Sequence, residues 1–293
     1  MNERFIQVGI QPVPAPRLRR RPWYQGKPIA SGLVLAAILL GCLFCGLFIP
    51  KDPAYMDLSN ITRAPGGEFW FGTDSMGRDI FSMIWYGGRA SLFIGFFAAA
   101  VSAAVGVLAG AASGLAPRWL DGILMRLTEI FLSIPSLLPV ILIQAALGKA
   151  NVLSLSLVIG ITGWPGIAKV VRTEVRQLRN REYVIAARRM GGGFWHILLV
   201  HLTPNFVSSI MFMAVMNIRG AIVAESTLSF MGVGLPLEII SWGSMLSLSE
   251  RSLQSGCWWI ILIPGVFLTV TLLCVTNIGN YLRRSVNRRQ SNL

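Results

Sequence analysis

The chain has 293 residues, 54% of them hydrophobic and 13% charged, about half the charged share of an ordinary soluble domain. Lys and Arg number 26 against 13 Asp and Glu, giving a net charge of +13, yet mean hydropathy is +0.61, so the basic residues are concentrated between long apolar runs. A water-soluble globule, a disordered chain, a collagen-like chain and a disulfide-rich secreted scaffold are excluded.

Residues 1–28 place Pro12, Pro14, Pro16, Pro22 and Pro28 among arginines, a composition that predicts a solvated cytoplasmic tail beside anionic headgroups. Nothing in it offers a stacking platform or reading module, so no nucleic-acid partner is expected. Pro28–Pro50 is the first of six uncharged runs. The others are Ala90–Pro117, Ile130–Gly148, Ala150–Ala168, Met190–Ile218 and Ser252–Leu282, each reaching the ~20 residues a helix needs to cross a bilayer. The first run is too long for a cleavable signal and predicts an uncleaved anchor. Cys42 and Cys45 form C-x-x-C within it and are read as small apolar residues rather than a redox pair.

Residues 29–86 are expected to comprise this helix and an extracytoplasmic segment, in which 51–88 mixes both charges with glycine and proline and carries FGTDSMGRDIFS at 71–82. A core transmembrane domain follows over 87–281. Gly106, Gly110 and Gly114 recur every four residues in the second run, a ridge of small residues that lets helices approach closely in lipid. A short turn at Pro117–Asp121 predicts that the second and third spans are antiparallel neighbours. Pro135 and Pro139 interrupt the third run, and Gly163, Pro165 and Gly166 end the fourth, predicting broken or kinked helices. Such breaks fit a moving gate, and they equally fit the ordinary tolerance of membrane helices for proline.

Between the fourth and fifth spans, Lys169–Thr203 is long for a simple connection. NREYVIAARRMGGG within it predicts a short helix. Asn180 caps it, Glu182 suits its positive end, Arg188 and Arg189 its negative end, and Gly191 a left-handed stop. Tyr183, Ala186, Ala187 and Met190 fall at i, i+3, i+4 and i+7, an apolar face suited to a groove on another protein or to the chain's own bundle. His196 and His201 are expected at a helix end or interface rather than on a metal. Arg219 lies in the fifth span with no acidic residue one turn away, which suggests a translocation path, or a headgroup contact if the span is shifted. Glu225 is expected to begin the outer loop, as a gate or a contact for an external protein. Residues 282–293 form a second cytoplasmic tail. With the N-terminus inside, 19 basic residues fall on the cytoplasmic side and six outside, so the positive-inside rule predicts six spans with both termini cytoplasmic.

The apolar-basic pattern together with these stretches resembles a known family, the inner-membrane permease subunits of binding-protein-dependent ABC importers, in the dipeptide, oligopeptide and nickel branch. The loop is similar to that family's EAA motif in Ala186-Ala187, Gly191 and Pro204. Further family-like stretches are FGTDSMGRDIFS, LDGILMRLTEIFLSIPSLL (120–138), GWPGIAKVVR (163–172), ESTLSFMGVG (225–234), SWGSML (241–246) and PGVFLTV (264–270). Ile185 stands where the family has its glutamate, and His201 and Thr203 replace apolar residues before Pro204.

The resemblance implies an all-α, six-helix type I ABC importer permease fold in a bacterial inner membrane. Residues 180–193, with Glu182, Tyr183, Ala186, Ala187, Met190, Gly191 and Pro204, would form the coupling segment for partner ATPases. The implied partners are a homologous second permease, two ATPase subunits, an extracytoplasmic solute-binding protein and the lipid bilayer. The solutes would be peptides, nickel or metal chelates. No G-x-x-x-x-G-K-[ST] occurs, so this chain is expected to bind no cofactor and to be no enzyme, ATP and Mg belonging to the ATPases. Two other classes stay open. An ion-coupled secondary transporter would use Glu129, Arg219 and Glu225 as a relay, and a membrane enzyme would need a nucleophile or metal site that the sequence does not offer.

Overall fold

The 20-residue helix α1, Ile29–Phe48, is apolar on every side, as a segment surrounded by lipid should be. It opens a computed structural model that describes residues 28–49, 51–249 and 256–290. Most of the basic tail, Arg251 and residues 291–293 lie outside the described residues. After α1 come α2 (Ile80–Leu115), α3 (Arg118–Ser133), α4 (Leu137–Leu147), α5 (Val152–Thr162) and α6 (Trp164–Leu178). Then follow α7 (Glu182–Arg189), the single turn α8 (Phe194–His196), a π-helical stretch over Ile197–Leu202, α9 (Thr203–Phe230), α10 (Trp242–Ser249) and α11 (Trp259–Gln290). The fold is all-α. Among the described residues the one β feature is an isolated bridge between Thr73 and Asp79.

Four of these helices are long and apolar enough to cross a bilayer unbroken: α1, α2, α9 over Ser209–Phe230, and α11 over Trp259–Arg284. The third and fourth expected spans are bent pairs, α3 with α4 at 91° and α5 with α6 at 42°. The breaks have the expected causes. Ile134 is extended because the ring of Pro135 disfavours a helical residue before it. Gly163 closes α5, donating to Ile159 O at 3.0 Å, and Pro165 sits in the first turn of α6, where its missing N–H costs nothing.

Several boundaries differ from expectation. α2 starts ten residues before the uncharged run, so Arg89 is helical and the expected division between 86 and 87 falls inside the element. Asp79 makes this start possible, its carboxylate accepting from the Ser82 N–H at 3.1 Å and the Ser82 hydroxyl at 2.5 Å. Arg89 stitches α2 to α1, donating to the carbonyls of Cys42 at 2.7 Å and Leu43 at 2.8 Å. The fifth span lies further along the chain than the run Met190–Ile218, because charge counting treats Arg219 as a limit whereas α9 carries both Arg219 and Glu225 inside it. Glu225 therefore does not begin an outer loop. Likewise Lys169–Leu178 is the second half of α6 rather than loop.

The glycine ridge packs, but on α6 rather than on the chain-adjacent α3. A methyl group built on Gly106 would stand 2.7 Å from Ile167 Cβ, and one on Gly114 2.6 Å from Val175 Cγ1. Close approach there is worth more than local chain order, because dispersion contacts drive helix association in lipid. Among the described residues, three buried clusters fill the bundle. One joins α1, α2, α10 and α11 around Trp242, one gathers Ile94, Val140, Leu155 and Leu228, and one gathers Val171, Val184, Ile197, Leu202 and Phe206 beneath α7. Cys42 and Cys45 are buried, Cys42 within the first of these clusters.

FGTDSMGRDIFS is a structural turn. Gly72 and Gly77 take φ of +76° and +74°, where side chains are strained. The buried Asp74 accepts from the Arg78 backbone N–H and Nε, each at 2.8 Å. Nearby, outside the spans, the hydroxyl of Ser59 and the amide of Asn60 hold the Asp57 carboxyl below its ordinary value.

Candidate functional site

At one end of the bundle the chain leaves α6, turns through residues 179–181 and forms α7. The start differs from expectation: Arg181, not Asn180, is the N-cap, and it makes no side-chain cap. Glu182 compensates in the first turn and Arg188 and Arg189 in the last, each matched to the helix dipole. The stop is a Schellman motif. Gly191 sits at φ +87°, its N–H reaching Arg188 O at 3.1 Å, while Gly192 N–H reaches Ala187 O at 2.9 Å.

The outward face is narrower than the sequence suggested. Tyr183 and Ala186 are exposed and Met190 is 81% exposed, but Ala187 is only 5% exposed and faces inward beside the fully buried Val184. The reason is compositional. Tyr183 to Ala187 are all apolar, so periodicity alone does not choose the inward face, and Val184 wins because it fills the cluster of Ile197, Leu198 and Leu202. Beneath α7 the π-helical stretch follows from Pro204, which has no N–H to return to Val200 O. The backbone N–H and hydroxyl of Thr203 both reach Leu198 O instead, the latter at 2.8 Å. The wider turn brings His196 and His201 together, ring centroids 5.3 Å apart, with Tyr183 of α7 at 6.2 Å from His201. Among the described residues no three His, Cys, Asp or Glu side chains form a set that could hold a metal ion.

Arg219 lies near the middle of the membrane-crossing part of α9, exposed, and has no ion pair with a described residue. It shares a stripe with the exposed Val223 and Phe230, at helical spacing. The opposite side of α9 is packed through Phe206, Ala221, Glu225 and Leu228.

Glu225 is 0% exposed and is met entirely by hydroxyls. Ser229 and Ser241 donate to one oxygen at 3.0 and 2.7 Å, and Ser91 and Ser226 to the other at 3.0 and 3.3 Å. Three of these hydroxyls in turn accept backbone N–H groups of the segment after α9: Leu235 to Ser229 at 3.2 Å, Trp242 to Ser91 at 3.2 Å, and Ser244 to Ser241 at 3.0 Å. The carboxyl group is thus the centre of a nest joining α2, α9 and the approach to α10. The sequence singled out Glu225, ESTLSFMGVG and SWGSML, but it gave no sign of Ser91, 134 residues away. The relay residues are not connected to one another, since Glu129 pairs with Arg126 at 3.3 Å and Glu225 with serines.

A cluster that the sequence reading missed lies at the α7 end. Asp121 in the first turn of α3 is 5% exposed and receives Ser113 at 2.6 Å, both Arg172 and Arg176 of α6, the Arg172 Nη2 at 2.7 Å.

Comparison with known proteins gives a consistent picture. Residues 104–289 match the family described as the binding-protein-dependent transport system inner membrane component. The chain is 33% identical over 264 residues to the dipeptide transport system permease protein DppC of Bacillus subtilis, covering 90% of this chain and 82% of that protein. It is 35% identical over 255 residues to the oligopeptide transport system permease protein OppC of the same organism, covering 87% and 83%. It is 33% identical over 271 residues to OppC of Haemophilus influenzae, covering 92% and 86%.

Proposed function

The chain belongs to the family of binding-protein-dependent transport system inner membrane components and has the type I ABC permease fold, and from that premise we propose that it forms half of a path for peptides. The peptide assignment draws on the names of its relatives. Nickel and metal-chelate solutes are the wider branch, and the residues here give no reason to prefer them. A second, homologous permease supplies the other half, an extracytoplasmic binding protein delivers the solute, and two cytoplasmic ATPases bind ATP and Mg. The end bearing α7 is then cytoplasmic, with both termini, in agreement with the excess of basic residues on that side.

The observation that carries this reading is α7 itself. A free eight-residue helix is marginal in water, yet this one is stopped by a Schellman motif, seated by Val184 and Ala187, and left with Tyr183, Ala186 and Met190 facing outward. A seated helix with an unpartnered apolar face suits a groove on an ATPase subunit. Nucleotide-driven closure of the ATPases draws α7 inward, and α6, three residues away, moves with it. Two arrangements of the bundle, open to one side or the other, are thereby biased from a distant site.

Arg219 and its stripe are assigned to the path. A cation at that depth is costly against hydrocarbon, and an aqueous path relieves the cost. Such a cation also attracts the terminal carboxylate of a peptide. In vesicles containing the complete transporter, Arg219→Gln lowers uptake of a labelled dipeptide about tenfold, the scale of one lost charge-assisted contact. Unchanged uptake of a dipeptide, an oligopeptide and nickel alike would remove Arg219 from the path.

A further inference from the structure

α3 is a poorly seated helix. Of its 16 residues only Asp121 and Thr128 are buried, while Trp119, Ile123, Leu127, Ile130 and Leu132 are exposed. Its attachment to the rest of the molecule is correspondingly specific. Arg172 grips Asp121 through two nitrogens, one to each carboxylate oxygen, and Arg176, one turn further along α6, binds Oδ2. Ser113 from the end of α2 completes the set, and Arg179, another turn on, donates to Gly114 O at 3.0 Å. The first turn of α3 favours an anion at Asp121 through the helix dipole. At the far end of α3, Phe131 meets Trp164 at the start of α6, centroids 5.8 Å apart. The two helices are thus fastened near both ends, polar at one and aromatic at the other.

The placement matters because α6 ends three residues before α7. The arginine row therefore lies within two to three turns of the coupling helix. Beyond Ser133 the chain bends 91° into α4, whose Val140 packs in the cluster shared by α2, α5 and α9. A continuous mechanical route runs from α7 through α6 and Asp121 to α3 and α4.

We propose that Asp121 is the positioning residue that makes α3 follow α6, so that movement of the coupling helix reaches the bent α3–α4 pair. The inference rests on the docking of α7 to an ATPase. A bidentate arginine pair fixes direction as well as distance, which suits a strut better than a simple point charge does. With the clasp broken, the ATPases still close on α7 and hydrolyse ATP, but α3 no longer follows.

The test uses the whole transporter in proteoliposomes, with binding protein and a labelled dipeptide, and reads solute accumulated per ATP hydrolysed together with the amount of assembled complex. Asp121→Asn lowers the ratio about tenfold, the scale of losing a charge-assisted pair, while stimulated hydrolysis stays within about twofold. Asp121→Glu, which keeps the charge, recovers part of the ratio. Arg176→Gln, which leaves the Arg172 pair in place, gives an intermediate loss. A wild-type ratio in both Asp121→Asn and Arg176→Gln overturns the proposal. So does failure of both variants to assemble, which would make the clasp a folding element only. Failure of the docking reading is distinguishable, because uptake and stimulated hydrolysis would then both survive in the α7 variant Ala186→Arg, whatever Asp121→Asn does.

Discussion

Replacing Ala186 with Arg abolishes uptake and stimulated ATP hydrolysis while leaving the chain folded in the membrane. Ala186 is exposed on α7 between Tyr183 and Met190, so a guanidinium there projects into the docking groove without disturbing the bundle. An unpaired charge in a desolvated contact costs several kcal/mol, on the order of a hundredfold or more in association. Ala187→Arg behaves differently although it lies one residue away. Its side chain points inward beside Val184, and burying a cation there destabilises the end of the bundle itself, by about 3–5 kcal/mol. Quantifying membrane-inserted chain, co-purified ATPase and hydrolysis for both variants separates the two effects. Normal coupling in the Ala186 variant would mean that α7 is not the docking element.

Glu225→Gln loosens the segment between α9 and α10. A carboxamide retains one oxygen and places an NH₂ where the other oxygen accepts two hydroxyls. Ser91, Ser226, Ser229 and Ser241 then outnumber the acceptors, and each donor left unpaired in a buried site costs about 1–3 kcal/mol. The expected loss is about 2–5 kcal/mol, partly recovered if a hydroxyl turns away from its backbone N–H partner. Thermal unfolding of the detergent-purified transporter measures it, and a midpoint equal to wild type would contradict the nest as a structural centre. The N–H groups of Leu235, Trp242 and Ser244 reach Glu225 only through these hydroxyls, so the loss should be concentrated after Phe230. Hydrogen exchange at those amides reads that local loosening directly.

The features legible in the sequence share one property, namely that the cause lies within a turn or two of the effect. Pro135 and Pro165 mark the breaks in their spans because a proline ring acts on the residues immediately beside it. The end of α7 was readable for the same reason, since Gly191 and the arginines before it are its own last turn. The glycine ridge announced close packing but not its partner, because three helices, α3 to α5, separate α6 from α2 along the chain.

Three features were not legible, each for a physical reason. The position of α9 was obscured because Arg219 and Glu225 are charged residues that the helix carries inside the span, one on an exposed stripe and one in a hydroxyl nest. The inward face of α7 was ambiguous because five consecutive apolar residues satisfy more than one face. Asp121 looked like a residue of a simple turn, because its partners Arg172 and Arg176 lie 51 and 55 residues away. Distant polar pairing of this kind leaves no periodic trace.

The central claim is that this chain moves solute only when driven by a hydrolase held at α7, and a reconstitution tests it most directly. Vesicles containing this chain and its companion permease are loaded with ATP and offered a dipeptide with its binding protein, with and without the ATPase subunits. The account predicts accumulation against the gradient only when the ATPases are present, and its loss with the Ala186→Arg chain. Accumulation by this chain without them, driven by an imposed ion gradient, would contradict it.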